Sequence, residues 1–180
     1  MMDPTPTAPA SGLVYADVPN RVIAFIIDAI VIAVIMFFVT IILGTIGLAA
    51  GMFGSTSGTY IGSIVYAVVS TLIGAAYFIY TWTSMRATVG MRALGMQIGN
   101  AADGATLTQD QAIRRYLALA APGIVGSALS GLPVIGWLLG LVSLAWVIYL
   151  LYTTYQSPTK QGFHDVFAHT MVVKAARNVG

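Results

Sequence analysis

The chain has 180 residues, of which 58% are hydrophobic and only 8% charged. An ordinary soluble domain carries about 25% charged residues, so this composition excludes a water-soluble globular domain and reads as an integral membrane protein. Eight basic residues against six acidic ones, all Asp, leave a net charge of +2, too small to call for nucleic acid. With no Cys, disulfides, thiolate metal sites and a Cys nucleophile are excluded as well.

Residues 1–17 read as a disordered tail. MMDPTPTAPASG is rich in Pro, Thr and Ala and holds no basic residue, so it lacks the positive region of a secretory signal. A first membrane span runs from about Val22 to Leu43. At 1.5 Å per residue that length crosses roughly 30 Å of hydrocarbon. The Gly/Ser-rich stretch 44–59 reads as a loop. A second span, from about Tyr60 to Trp82, places Ser63, Ala67, Thr71 and Ala75 at four-residue spacing, with Gly62, Ser70 and Gly74 on the next stripe. Small residues at that spacing let helix backbones approach closely in lipid.

The segment 83–115 is different, holding four Arg and two Asp. LGMQI and ATL flank the turn-like NAADG, which predicts a short hairpin over 96–107. Thr108 followed by Gln111 has the spacing of a capping box, so a helix starts near Gln109. The apolar run from Tyr116 to Tyr155 would make one helix of roughly 60 Å, twice the hydrocarbon thickness. SGLP at 130–133 breaks it into spans of about 116–130 and 134–155, with Pro122-Gly123 predicting a kink in the first. Gly136 and Gly140 form a GxxxG. In the tail, Ser157-Pro158 marks a turn, a short helix is expected from about Lys160, and MVV at 171–173 reads as a strand able to pair with MQI at 96–98. Residues 174–180 read as a C-terminal tail.

The expected fold is an all-α membrane protein. It is a four-helix bundle over residues 18–173, with a small cytoplasmic α/β layer. In that topology every Lys and Arg falls on one side of the membrane and the opposite loops hold none. The positive-inside rule then makes the protein a multi-pass protein of the cell membrane, with both termini cytoplasmic.

The chemistry concentrates at Arg21 and Asp28. They lie two helical turns apart on nearly one face, roughly 10 Å along the axis. Arg21 can snorkel to headgroups. Asp28 is too short to do so, and a mid-helix Asp costs about 2.5–3.5 kcal/mol on insertion scales. It must be neutral, paired or hydrated. Arg92, Arg114 and Arg115 are the expected partners, since Arg21 is too distant for a good contact. No phosphate loop, nucleophile elbow or metal-ligand run appears. His164 and His169 lie five apart, which is not the spacing of a helical zinc pair, so no enzyme, metal or cofactor is expected.

The layout resembles the RDD family of small membrane proteins. RVIAFIIDAIV places Arg21 at the start of the first helix and Asp28 within it. TVGMRALG matches the family's T-x-G-K-x-x-x-G segment at Thr88, Gly90 and Gly95, with Met91 where Lys is usual. Arg115-Tyr116 opens the third helix. QGFHDVFAHT supplies the second Asp as Asp165, with His169 where a small residue or Asn is commoner. The resemblance covers about residues 18–173. It implies a signature set of Arg21, Asp28, Arg92, Arg115 and Asp165, with Arg114 and His164 secondary. Asp165 reads either as a cap or ion-pair partner in the cytoplasmic layer, or as a second site carboxylate near Arg92 or Arg115.

Two roles stay open from the residues. One is an accessory or assembly subunit of a larger membrane complex, or a homo-oligomer, in which Asp28 is an internal clasp. The other is transport, with Asp28 binding a proton or monovalent cation. For that second role the resemblance implies cation/proton antiport, attributed to some family members.

Overall fold

The computed structural model describes residues 12–49, 55–130 and 132–175. In chain order these form β1 (Leu13–Tyr15), α1 (Val18–Ala49), α2 (Thr56–Ser84), α3 (Val89–Ala93), β2 (Met96–Asn100), α4 (Gln109–Ala128), α5 (Pro133–Gln156), α6 (Phe163–Phe167) and β3 (Thr170–Ala175).

The helix starts follow local chemistry. The Asp17 side chain accepts from the Asn20 amide at 3.2 Å, while Pro19 sits in the first turn of α1, where no N–H is needed. Ser55 caps α2 through the Gly58 amide. Thr108 and Gln111 form the expected capping box of α4, and Pro133 opens α5. α1 and α2 run past the expected span ends, so residues 44–49 and 56–59 of the expected loop are helical instead. α1 has 32 residues, about 48 Å at 1.5 Å each, well beyond the hydrocarbon thickness. α4 continues through Pro122. Among the described residues, three helices are long and apolar enough to cross a membrane: Val18–Leu48, Ser57–Ser84 and Val134–Gln156.

β1, β3 and β2 form an antiparallel sheet in that order. Residues 13–17, read from the sequence as part of a disordered tail, instead supply β1 and the buried Ala16 (0% exposed), whose amide donates to the Val172 carbonyl. Residues 1–11 of that tail lie outside the described residues. Lys174 and Ala175, assigned to the C-terminal tail, end β3. The expected hairpin at 96–107 is also corrected. Asn100 and Ala105 close the NAADG turn, but residues 105–107 are not a strand. Thr108 must begin α4, which leaves no length for a second strand. β2 pairs with β3 instead, Ile98 facing Val172, as the MQI–MVV reading allowed.

The two halves of the chain repeat one plan: two long helices, a five-residue helix, a strand. The backbone repeats too. Arg86, Gly95 and Ile98 precede Lys160, His169 and Val172 by the same number of residues. Arg86 and Lys160 have φ of 55° and 51°, and Gly95 and His169 have φ of 66° and 52°. Because Ile98 and Val172 also face each other across an antiparallel pair, a local two-fold axis passes between them. Both are buried, at 0% and 2% exposure.

The core sits at this sheet, where Met96, Ile98, Leu107, Val172, Trp82 and Tyr116 cluster. Away from it, α2 and α4 pack along the small-residue stripe. Tyr116 donates to the Thr71 carbonyl at 2.9 Å, and a Cβ on Gly74 would meet the Tyr116 hydroxyl at 2.8 Å. A Cβ on Gly140 would meet nothing within 4 Å, so this glycine of the α5 GxxxG is not placed there by a close internal approach. The outer faces of α1 and α5 are apolar and exposed, from Phe25 and Ile30 to Trp137 and Leu144.

Candidate functional site

The sequence-predicted charges separate into two sites. The first is Asp28, 3% exposed. After α2 the chain folds back so that α3 lies on α1. Gly90 makes this possible, since a Cβ there would sit 2.0 Å from the Ala24 carbonyl oxygen. The Gly90 amide then donates to Asp28 Oδ1 at 2.8 Å, the Tyr77 hydroxyl to Oδ1 at 2.7 Å, and the Thr88 hydroxyl to Oδ2 at 2.5 Å. Both hydroxyls are oriented from behind: Thr88 Oγ1 accepts from the Met91 amide, as the cap of α3, and Tyr77 from the Val89 amide, each at 3.2 Å. Two hydroxyls and a backbone amide thus surround the Asp28 side chain.

No Arg pairs with Asp28 among the described residues, which corrects the expectation of Arg92, Arg114 or Arg115 there. Arg92 is exposed with Nη1 3.5 Å from Met85 Sδ, and Arg114 pairs with Asp110 one turn away on the surface of α4, at 2.9 Å. The sequence pointed to charge, whereas the fold answers Asp28 with hydroxyls and an amide. Thr88 and Gly90 belong to the TVG segment that carries the family resemblance. Tyr77, a hydroxyl within an apolar helix, carried no signal of its role.

The second site is Asp165, fully buried. As the third residue of α6 it reaches back to accept from the Gly162 amide at 3.0 Å. Arg21 Nη1 donates to Oδ2 at 2.6 Å and Arg115 Nη1 pairs with Oδ1. Arg115 also donates to Thr170 Oγ1 at 2.6 Å, and its guanidinium lies 5.2 Å from the Trp82 ring centroid. Arg21 Nε donates to the Ala16 carbonyl at 3.1 Å. Arg21, expected to anchor its helix end in the headgroups, is therefore a partner of Asp165. Asp165 is cap and ion-pair partner at once, and of the two arginines expected near it as a second site carboxylate it meets Arg115 and not Arg92. The clasp joins the start of α1, the second turn of α4, and α6.

His164 Nε2 lies 3.4 Å from Asp165 Oδ2. Burial, with Arg115 and Arg21 nearby, pushes its pKa down to about 4 against the pull of Asp165, so the ring is neutral at pH 7. For Asp165, burial raises the pKa, but the two guanidiniums outweigh it and hold the carboxyl well below the usual range. Arg21 Nη2, Arg115 Nε and His164 Nδ1 are buried without a hydrogen-bond partner among the described residues. His169, where the resemblance expects a small residue or Asn, has φ 52°, a conformation that Gly and Asn adopt with least strain.

The chain matches no curated protein and no solved structure. The model of the RDD family, a family of membrane proteins, matches residues 15–169, a stretch that holds both carboxylates and the arginines of the clasp. The chain belongs to the RDD family.

Proposed function

We propose that the protein is a non-enzymatic accessory or assembly subunit of a larger membrane complex. It crosses the bilayer four times, with α4 as the shortest crossing and both termini on the side of the basic loops. One observation carries the reading: donors of this chain already engage both buried carboxylates, Asp28 through Tyr77, Thr88 and Gly90, and Asp165 through Arg21, Arg115 and Gly162. Carboxylates engaged in this way hold elements in register, the best-attested use of buried polar groups.

Two further features support it. α4 runs beside α5, with Trp146 Nε1 donating to the Ala118 carbonyl at 2.9 Å and Gly126 packed on Leu139 and Ser143. The exposed apolar faces of α1 and α5 leave room for lipid and for neighbouring subunits. The test is reconstitution. The purified protein in vesicles is expected to carry no proton or monovalent-cation flux above empty vesicles, and gentle extraction to yield a complex of defined stoichiometry. Cation flux driven by a pH gradient, lost in Asp28→Asn while the fold is kept, would overturn the reading in favour of antiport.

A further inference from the structure

We infer that α6 is a re-entrant helix whose Phe163, Val166 and Phe167 lie among the acyl chains of the leaflet next to the basic loops. The inference rests on the reading of α5 as a membrane span.

After α5 ends at Gln156, the chain turns through Ser157–Lys160, closed by the Lys160 amide on the Ser157 carbonyl at 3.1 Å. It then runs back along the helix it has left. The Phe163 amide donates to Thr153 Oγ1 at 3.1 Å, and the Phe163 ring lies 5.6 Å from the Trp146 ring and 6.0 Å from that of Tyr149. At 1.5 Å per residue, Tyr149 is about 10 Å and Trp146 about 15 Å before Gln156. α5 has 24 residues. That is about 36 Å, so only about 3 Å at each end projects beyond roughly 30 Å of hydrocarbon. The Phe163 ring therefore reaches acyl depth.

The sides of α6 are sorted to match. Phe163, Val166 and Phe167 are 38%, 50% and 50% exposed, whereas His164 and Asp165 turn inward at 8% and 0%. Phe167 stacks on Phe163 at 6.0 Å, extending one apolar surface with Trp146 and Tyr149. At the turn, Lys160 lies over the Tyr155 ring and donates to the Tyr155 carbonyl at 3.1 Å, a position from which an ammonium reaches headgroups. The repeat provides an internal comparison. At the positions equivalent to Phe163, Val166 and Phe167, α3 carries Val89, Arg92 and Ala93. The continuous apolar face belongs to the second half alone.

Because the chain has no Cys, single nitroxide labels at Val147→Cys, Val166→Cys, Phe167→Cys and Ala93→Cys can be compared in phosphatidylcholine/phosphatidylglycerol vesicles. The measurement is collision with oxygen, which concentrates in acyl chains, against collision with a water-soluble nickel chelate. Labels at 166 and 167 are expected to match 147, with an oxygen-to-nickel ratio several-fold above that at 93. A ratio at 166 and 167 equal to that at 93 would overturn the inference, and so would protection from both agents, which means protein covers the face. A water-like reading at 147 would overturn the span reading of α5 together with it.

Discussion

Asp165 is shut off from solvent, and its two guanidinium partners are nearly as deep, at 11% and 7% side-chain exposure. Breaking such a pair by removing one partner leaves an uncompensated buried charge and typically costs about 3–5 kcal/mol. Asp165→Asn should therefore lower the thermal unfolding midpoint in detergent far more than Asp110→Asn, whose ion pair is exposed. His164 sets a pH dependence beside it. Its pKa is about 4 in the fold against 6.5 when free, so the unfolded chain takes up the proton first. Stability from this group is complete above pH 6.5 and is lost as pH falls toward 4, by roughly 3 kcal/mol at about 1.36 kcal/mol per unit. Unfolding midpoints measured from pH 7 to 4 should fall, and His164→Gln should flatten that fall. Below the ordinary Asp value of 3.8, protonation of Asp165 in the unfolded chain adds a further loss.

At the scale of elements, α3 bridges α1 and α2. Its own length, five residues, is far too short to be stable alone. It is held by Asp28 at its amino end and by the close approach of Gly90 to Ala24. Gly90→Ala should push α3 off α1, destabilising by about 1–3 kcal/mol as overpacking does, read as a lower unfolding midpoint in detergent. Thr88→Val removes both the cap and one donor to Asp28, so with Asp28→Asn it should show a non-additive coupling of about 0.5–3 kcal/mol in a double-mutant cycle. Additive losses would mean that Thr88 acts on α3 only as a cap. The start of α4 was legible because a capping box lies within four residues. The partner of β2 was only half legible. MQI and MVV both had strand composition, but ATL was nearer in sequence, and burial of Ile98 against Val172 decided between them.

For the whole molecule, the basic residues test the topology. The proposed four crossings put Ser57 opposite Asp103. In intact cells a membrane-impermeant maleimide should label Ser57→Cys, and should reach Asp103→Cys only after permeabilisation. Equal labelling of both from outside would remove α2 as a crossing. The repeat of two helices, a short helix and a strand was not legible at all. The equivalent segments TVGMRALGMQI and GFHDVFAHTMV share little sequence, and the element order, the matched left-handed residues and the symmetric register reveal it.

The sequence by itself determined what local chemistry can encode: apolar length for the long helices, the cap at Thr108, turns at NAADG and Ser157-Pro158, and family signature segments. Tertiary structure alone decided which donors each buried carboxylate meets. Arg21 and Asp28 share a helix face, yet Arg21 goes to Asp165 and Asp28 to Thr88, Gly90 and Tyr77. The physical reason is that an ion pair or hydrogen bond is set within a few ångströms. Those ångströms depend on Gly90 admitting α3 onto α1 and on the β2–β3 register drawing α6 beneath α4, neither of which any window of the sequence contains.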